Sequence, residues 1–288
     1  MPRLLLNSMK HTSGASSEQS SSRRNQTRLL NGEIPLFAQD SRAVDVTVIS
    51  DTHLGTYDCH AKELLEYLNS IQPKILILNG DIIDFWAGKK WTWRQAHTLV
   101  IKRILELAIS GTLVYYVIGN HDEGLRKLPS VGLGNFNLCN DLALELDSHK
   151  VWFIHGDIFD LVVLHAKWLS KLGSFWYNLL LLLNGVVNDI LVSLGHERIS
   201  LAHRVKSSVK LAVKYMSDFE RAAAETAVGK GYSHIVCGHI HQPEIKRFAV
   251  RKTEVVYMNS GDWVENLSAL EYYDGKWCIF RYDDIRFR

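Results

Sequence analysis

The stretch LVYYVIGNHDEG, Leu113–Gly124, changes character half-way along. From Leu113 to Ile118 it is apolar and rich in β-branched and aromatic residues, the composition of a strand covered on both faces. A glycine follows, and then an amide, an imidazole and two carboxylates: Asn120, His121, Asp122 and Glu123. A strand that runs straight into such residues, without a hairpin signal, fits an α/β sheet in which the carboxyl ends of the strands converge on one crevice. The same event recurs on either side. VDVTVIS (Val44–Ser50) leads into Asp51 and His53, and KILILN (Lys74–Asn79) into Gly80, Asp81 and Asp84. KVWFI (Lys150–Ile154) leads into His155, Gly156 and Asp157, and SHIVC (Ser233–Cys237) into Gly238, His239 and His241.

Helical periods separate the strands. AKELLEYLNSI, from Ala61, places Leu64, Leu65, Leu68 and Ile71 on one face, and a helix near Arg94–Ile109 turns Ala96, Val100, Ile104 and Leu107 inward. This alternation predicts an α/β fold with a mostly parallel, buried sheet. LALEL (Leu142–Leu146) and KVWFI flank DSH and predict a hairpin. EVVYMN (Glu254–Asn259), ALEYY (Ala269–Tyr273) and WCIFRY (Trp277–Tyr282) complete the strands, the last two joined by the turn DGK.

Any one of these loop motifs arises by chance; five of them, each after a strand, share one chemistry. Two divalent cations held about 3.5–4 Å apart need a shared carboxylate and hard or borderline donors, which aspartate, asparagine and neutral imidazole supply without thiolate. Gly80, Gly119, Gly156 and Gly238 are expected to let the backbone turn sharply and to leave space for substrate.

In the order DxH, GDxxD, GNHD, HGD and GHxH, from Val44 to Tyr282, the chain resembles the calcineurin-like metallophosphoesterases. The resemblance implies a sandwich of two mixed β-sheets flanked by helices, with a dinuclear site at the strand ends. It implies Asp51, His53, Asp81 and His241 around one ion, and Asp81, Asn120, His155 and His239 around the other, with Asp81 bridging. His121 then matches the catalytic histidine, and Asp122 is expected to orient its ring. The cofactors are two divalent ions, manganese foremost, with iron, zinc and cobalt accepting the same ligands.

Residues 1–43 are rich in Ser, Asn, Gln and Arg (HTSGASSEQSSSRRNQ, His11–Gln26) and are expected to be a disordered tail. Residues 44–288 form the catalytic domain, with a helical cap inserted at about 159–229. The cap is unusually apolar at Trp168, Phe175, Trp176, Tyr177 and Leu179–Leu183, and Lys206, Lys210 and Lys214 make a basic stripe on a helix from Leu201 to Ala227. An apolar groove beside lysines suits a diphosphate that carries acyl chains. The arrangement is similar to the UDP-2,3-diacylglucosamine diphosphatases of lipid A synthesis, whose segment after the second motif GDIIDFWAG also resembles. It implies cleavage of a lipid-linked nucleotide diphosphate to UMP and a lipid sugar phosphate. The best-known branch of those enzymes has arginine where this chain has His121. Lys206, Lys210, Trp86 and Asp262 are the expected substrate contacts. A general phosphodiesterase or phosphatase, and a catalytically silent binding scaffold, are the alternatives.

A net charge of +2 with no long basic track argues against a nucleic-acid partner. Four cysteines without a CxxC pair suit a reducing cytoplasm, and MPRLLLNSMK is too short in apolar residues for a secretion signal. Phe175–Gly195 is interrupted by Asn178, Asn184, Gly185, Asn188 and Asp189, so a span is not expected. Contact with the inner membrane is expected to be peripheral, through the cap.

Overall fold

The computed structural model of the protein describes residues 41–128, 132–160 and 202–282. Strands β1 (Arg42–Ile49), β2 (Ile71–Asn79), β3 (Leu113–Val117), β4 (Gly132–Leu133), β5 (Phe136–Cys139), β11 (Ser268–Tyr273) and β12 (Lys276–Arg281) form one sheet. Its order is β12-β11-β1-β2-β3-β5-β4. The second sheet contains β6 (Leu142–Leu146), β7 (His149–Phe153), β8 (His234–Cys237), β9 (Glu244–Val250) and β10 (Thr253–Asn259), in the order β6-β7-β8-β10-β9. Both are mixed: β1, β2, β3 and β5 run parallel, as do β7, β8 and β10, with antiparallel strands at the margins. Helices α1 (Ala61–Ser70) and α2 (Gln95–Ile109) cover the first sheet, and α3 (Ala202–Gly229) covers the second.

The apolar runs are continuous because both faces of each central strand are covered. Alternate residues Ile75, Ile77, Tyr115 and Val117 of the first sheet meet Val151, Phe153, Val236 and Met258 of the second. Their neighbours Leu76, Leu78, Val114 and Tyr116 face Leu64, Leu68, Val100 and Ile104 of the helices. On the far side, Trp152, Ile235 and Tyr257 pack on Phe219, Ala223 and Ala227 of α3. The period of two thus feeds an inter-sheet core and a helix–sheet core at once.

Register brings the functional loops to one edge. Ile49 pairs with Leu78, Asn79 with Val117, Phe153 with Val236, and Cys237 with Asn259, so each parallel strand ends level with its neighbour. The single crevice expected of one sheet is instead shared: Asp51, Asp81 and Asn120 follow strands of the first sheet, and His155, His239 and His241 those of the second.

Other boundaries shift modestly. β1 starts at Arg42, inside the expected tail, because Arg42 makes a bidentate pair with Glu271 at 2.7 Å and its backbone pairs with Ile71. Ile71, read as part of a helix face, opens β2 instead. β4, β5 and β9 carry no expectation from sequence. β9 is an edge strand that alternates between half-covered and exposed residues, and its turn to β10 uses Arg251 and Lys252 at φ 47° and 69° rather than a glycine. The rest of the tail and the first part of the expected cap, including Phe175–Gly195, lie outside the described residues. Among the described residues, no helix is long and apolar enough to cross a membrane.

Candidate metal centre

Each candidate ligand comes within a few residues of a strand end, where the chain has to leave the sheet abruptly. Asp51, His53, Asp81, His239 and His241 do so in the left-handed region, at φ 51°, 47°, 55°, 66° and 56°. That conformation costs a residue with a Cβ roughly 1–2 kcal/mol. Among the described non-glycine residues, nearly all the other positive φ values fall in two-residue hairpin turns, which require them; the ligand loops have no such need. Cross-bonding between loops holds the strained backbone in place. The N–H of Asp51 donates to Gly80 O at 3.0 Å, that of His53 to Asp81 O at 3.0 Å, and that of His239 to the Asp51 carboxylate at 3.0 Å.

Three groups of donors result, each with ligand atoms within 4.8 Å of one another: Asp51, His53 and His241; Asp81, His155 and His239; and a third cluster, His53, Asp84 and His121. In the first, His241 Nε2 is 3.2 Å from Asp51 Oδ1 and 3.5 Å from His53 Nε2. In the second, His155 Nε2 is 3.2 Å from Asp81 Oδ2, and Asn120 Oδ1 stands 3.1 Å from both His155 Nε2 and His239 Nδ1. These residues suit divalent ions in more than type. His155 donates from Nδ1 to Asn79 O at 3.0 Å and His53 Nδ1 lies 3.2 Å from Asp84 Oδ2, so in each ring the second nitrogen is engaged and Nε2 is left to ligate.

Two glycines serve these side chains rather than substrate. A Cβ on Gly119 would lie 2.2 Å from Asp81 Oδ1 and 2.5 Å from Asp81 N; one on Gly80, at φ 87°, would lie 2.3 Å from His155 Nδ1. Asp81 and His155 therefore each need a missing side chain in another motif. Gly119→Ala is expected to lower stability by about 1–3 kcal/mol through overpacking and to weaken metal uptake, read by thermal unfolding with and without added manganese.

Charges are strongly tuned. Burial opposes the ionised form of Asp51, yet the His241 hydrogen bond and the nearby imidazoles hold its carboxyl well below the ordinary range. Burial likewise opposes ionisation of Asp81, and the His155 hydrogen bond overrides it, so its pKa is lowered. Burial would lower the pKa of His155, but the hydrogen bond and charge of Asp81 push it up to about 10. The metal-free fold therefore gains from His155 below its ordinary pKa and loses that gain as pH rises through about 10. The two aspartates act in the opposite sense, stabilising above the ordinary carboxylate pKa and less so as acid is added. An ion held through His155 Nε2 would displace its proton. Uptake is thus expected to release protons and to tighten with pH above neutrality, by up to about tenfold per unit. Titration calorimetry in buffers of different ionisation heats checks this.

The remaining expected residues divide. Trp86 is 57% exposed, and its ring centroid is 4.6 Å from that of His121. Asp122 does not face the His121 ring: it is fully buried and accepts from Gly119 N–H, from Ile82 N–H at 3.0 Å and from Tyr116 O–H at 2.7 Å, clamping two motif loops together. Burial raises its pKa. Asp84 takes the place expected of Asp122, with Oδ2 3.0 Å from His121 Nδ1 although not aligned as a hydrogen bond. Asp262 is likewise buried rather than open to substrate. It caps the following turn through Val264 N–H at 2.8 Å and Asn266 Nδ2 at 2.7 Å, and it lies 4.0 Å from His241 Nδ1. Lys206 and Lys210 fall on α3, with their side chains outside the described part. A cavity of about 1030 Å³ lies between α1 and α2, but none of the candidate ligands lines it.

Residues 44–243 match the family described as calcineurin-like phosphoesterase. The chain belongs to that family. This phosphoesterase is also 24% identical over 239 residues to the UDP-2,3-diacylglucosamine hydrolase of Aliivibrio fischeri, covering 80% of this chain and 95% of the relative. It is 25% identical over 238 residues to the protein of the same name from Pasteurella multocida, covering 77% and 92%. An archaeal phosphodiesterase of known structure aligns with a TM-score of 0.37 at 14% identity, over 82% of this chain and 98% of its own. The phosphoesterase is a hydrolase with two mixed sheets and His/Asp groups suited to metal.

Proposed function

We propose that this phosphoesterase hydrolyses a lipid-linked nucleotide diphosphate such as UDP-2,3-diacylglucosamine to UMP and a lipid sugar phosphate. The observation that carries the reading is the pair of three-residue donor groups where the strand ends of the two sheets meet, with the His121 ring beside them. The relatives named for that substrate, matched over nearly their whole length, support the choice of phosphoester.

In this reading Asp51, His53, Asp81 and His241 hold one ion and Asp81, Asn120, His155 and His239 the other, with Asp81 shared; manganese is the ion expected to serve. Such a pair supplies Lewis acidity toward the phosphoryl oxygens and a water acidic enough to act as nucleophile. His121 supplies the proton. Its side chain is 27% exposed, and with Nδ1 beside Asp84 the nitrogen left for substrate is Nε2. The water gives up one proton to solvent; as its oxygen joins phosphorus, the bond to the leaving oxygen breaks and that oxygen takes the proton from His121, which solvent then restores. Trp86, exposed against the same ring, walls the organic group attached there. Lys206 and Lys210 are assigned to the diphosphate from the cap. The protein works in the cytoplasm, peripheral to the inner membrane that holds its acylated substrate.

The test is mass spectrometry of products from UDP-2,3-diacylglucosamine and from a panel of unacylated nucleotide diphosphates, with manganese present. Preferential release of UMP from the acylated compound is expected. Equal or faster turnover of the unacylated compounds overturns the lipid assignment, and no hydrolysis with manganese, iron, zinc or cobalt returns the silent scaffold.

A further inference from the structure

His239 is gripped from a direction that no motif announces. Its Nδ1 faces Asn120 Oδ1 at 3.1 Å, and its Nε2 lies 2.9 Å from Asp160 Oδ2. The other oxygen of that carboxylate accepts from the hydroxyl of Tyr215, on α3. One turn further along α3, Phe219 stacks on the His239 ring, with centroids 5.9 Å apart and planes 27° from parallel. The last helix of the expected cap thus touches this imidazole twice, once directly and once through Asp160.

The chemistry of the contact is directional. Both partners are acceptors, and the ionised carboxylate is the stronger and nearer of the two, so Asp160 outcompetes Asn120 Oδ1 for the single proton of a neutral ring and favours the Nε2–H tautomer. His155 makes the complementary choice: its Nδ1 donates to Asn79 O, and Nε2 faces the same Asn120 oxygen. Opposite nitrogens of two rings are therefore presented to one position, each fixed by a partner behind it. The partner of His239 is charged, which makes its bond the stronger of the two.

We propose that Asp160 and Tyr215 are positioning residues that lock His239 in its metal-binding tautomer and tie α3 to the second ion. The proposal rests on the dinuclear reading above. Tyr215 orients the carboxylate, Asp160 orients the ring, and a displacement of α3 reaches the ion through them. In the other donor group, the ring of His53 is backed by a different carboxylate, Asp84, at 3.2 Å.

The experiment measures manganese stoichiometry and affinity of the full chain by chelator competition, together with the His239 tautomer by nitrogen-15 NMR of the metal-free protein. Wild type is expected to bind two ions and to show the Nε2–H form. Asp160→Ala is expected to weaken one ion by about 10–100-fold and leave the other unchanged, with the tautomers mixed. Asp160→Asn, which keeps an accepting oxygen, is expected to restore part of the affinity, and Tyr215→Phe to weaken the same ion less. A merely structural role would move neither the tautomer nor one ion selectively. If Asp160→Ala does not fold, Tyr215→Phe decides alone. Two ions in wild type with unchanged affinity and tautomer in the folded variants overturn this proposal only. A wild type that takes up no pair of ions overturns the dinuclear reading and this proposal together.

Discussion

Asp81→Asn is expected to empty both ion positions while leaving a folded protein. Asp81 is the only carboxylate in its donor group, and it is placed by its neighbours on every side. Its Oδ1 accepts the His121 N–H at 2.8 Å, its Oδ2 lies 3.2 Å from His155 Nε2, and Gly119 leaves it the volume it occupies. Asparagine keeps the size and an accepting oxygen but removes the charge that offsets a divalent ion and that keeps His155 paired. Loss of a partner behind a ligand costs about 10–100-fold in metal affinity, so loss of a ligand shared by both ions, the role proposed for Asp81, is expected to exceed about 100-fold. Hydrolysis falls to the uncatalysed background. Metal content by elemental mass spectrometry, beside turnover, checks both halves; a variant that retains two ions and cleaves substrate shows that Asp81 does not bridge.

His121→Ala separates chemistry from metal binding. Positioned acid–base groups contribute about 10²–10⁴-fold, and kcat is expected to fall within that range while both ions stay. The interpretation depends on the third cluster, in which Asp84 Oδ2 lies 3.2 Å from His53 Nδ1 and 3.0 Å from His121 Nδ1. Those short contacts involve the nitrogens on the far side of each ring from Nε2, as expected of a carboxylate that orients two imidazoles. Asp84→Asn keeps the oxygen and is expected to reduce kcat less than His121→Ala. If His121→Ala loses an ion in proportion to activity, the imidazole is a ligand and the leaving oxygen finds its proton elsewhere.

How much of this was legible beforehand depended on the range of the interaction. The parallel strands were plain because Ile75–Leu78 and Leu113–Val117 are covered on both faces, a condition that writes itself into composition. The candidate ligands were plain because each follows its strand at once, so chain order and spatial position coincide. β9 was missed because Arg251 and Lys252 make a turn that their residue types do not advertise. Asp122 was expected beside the His121 ring, and Asp84 was given no role, for a similar reason. Asp122 is next to His121 in the chain, yet it points back at Ile82 and Tyr116, and the carboxylate near the ring comes from another strand end. Asp160 and Tyr215, 55 residues apart within the expected cap, share no periodicity with His239 and become visible only in three dimensions.

The left-handed turns at Asp51, His53, Asp81, His239 and His241 bear on how this protein would respond to laboratory evolution. Glycine or asparagine would sit at those places with less strain than most residues. A library selected only for survival of heating should drift toward them, and its winners would be sturdier and inert. Breeding a heat-resistant version that still works requires selecting for product release in every round.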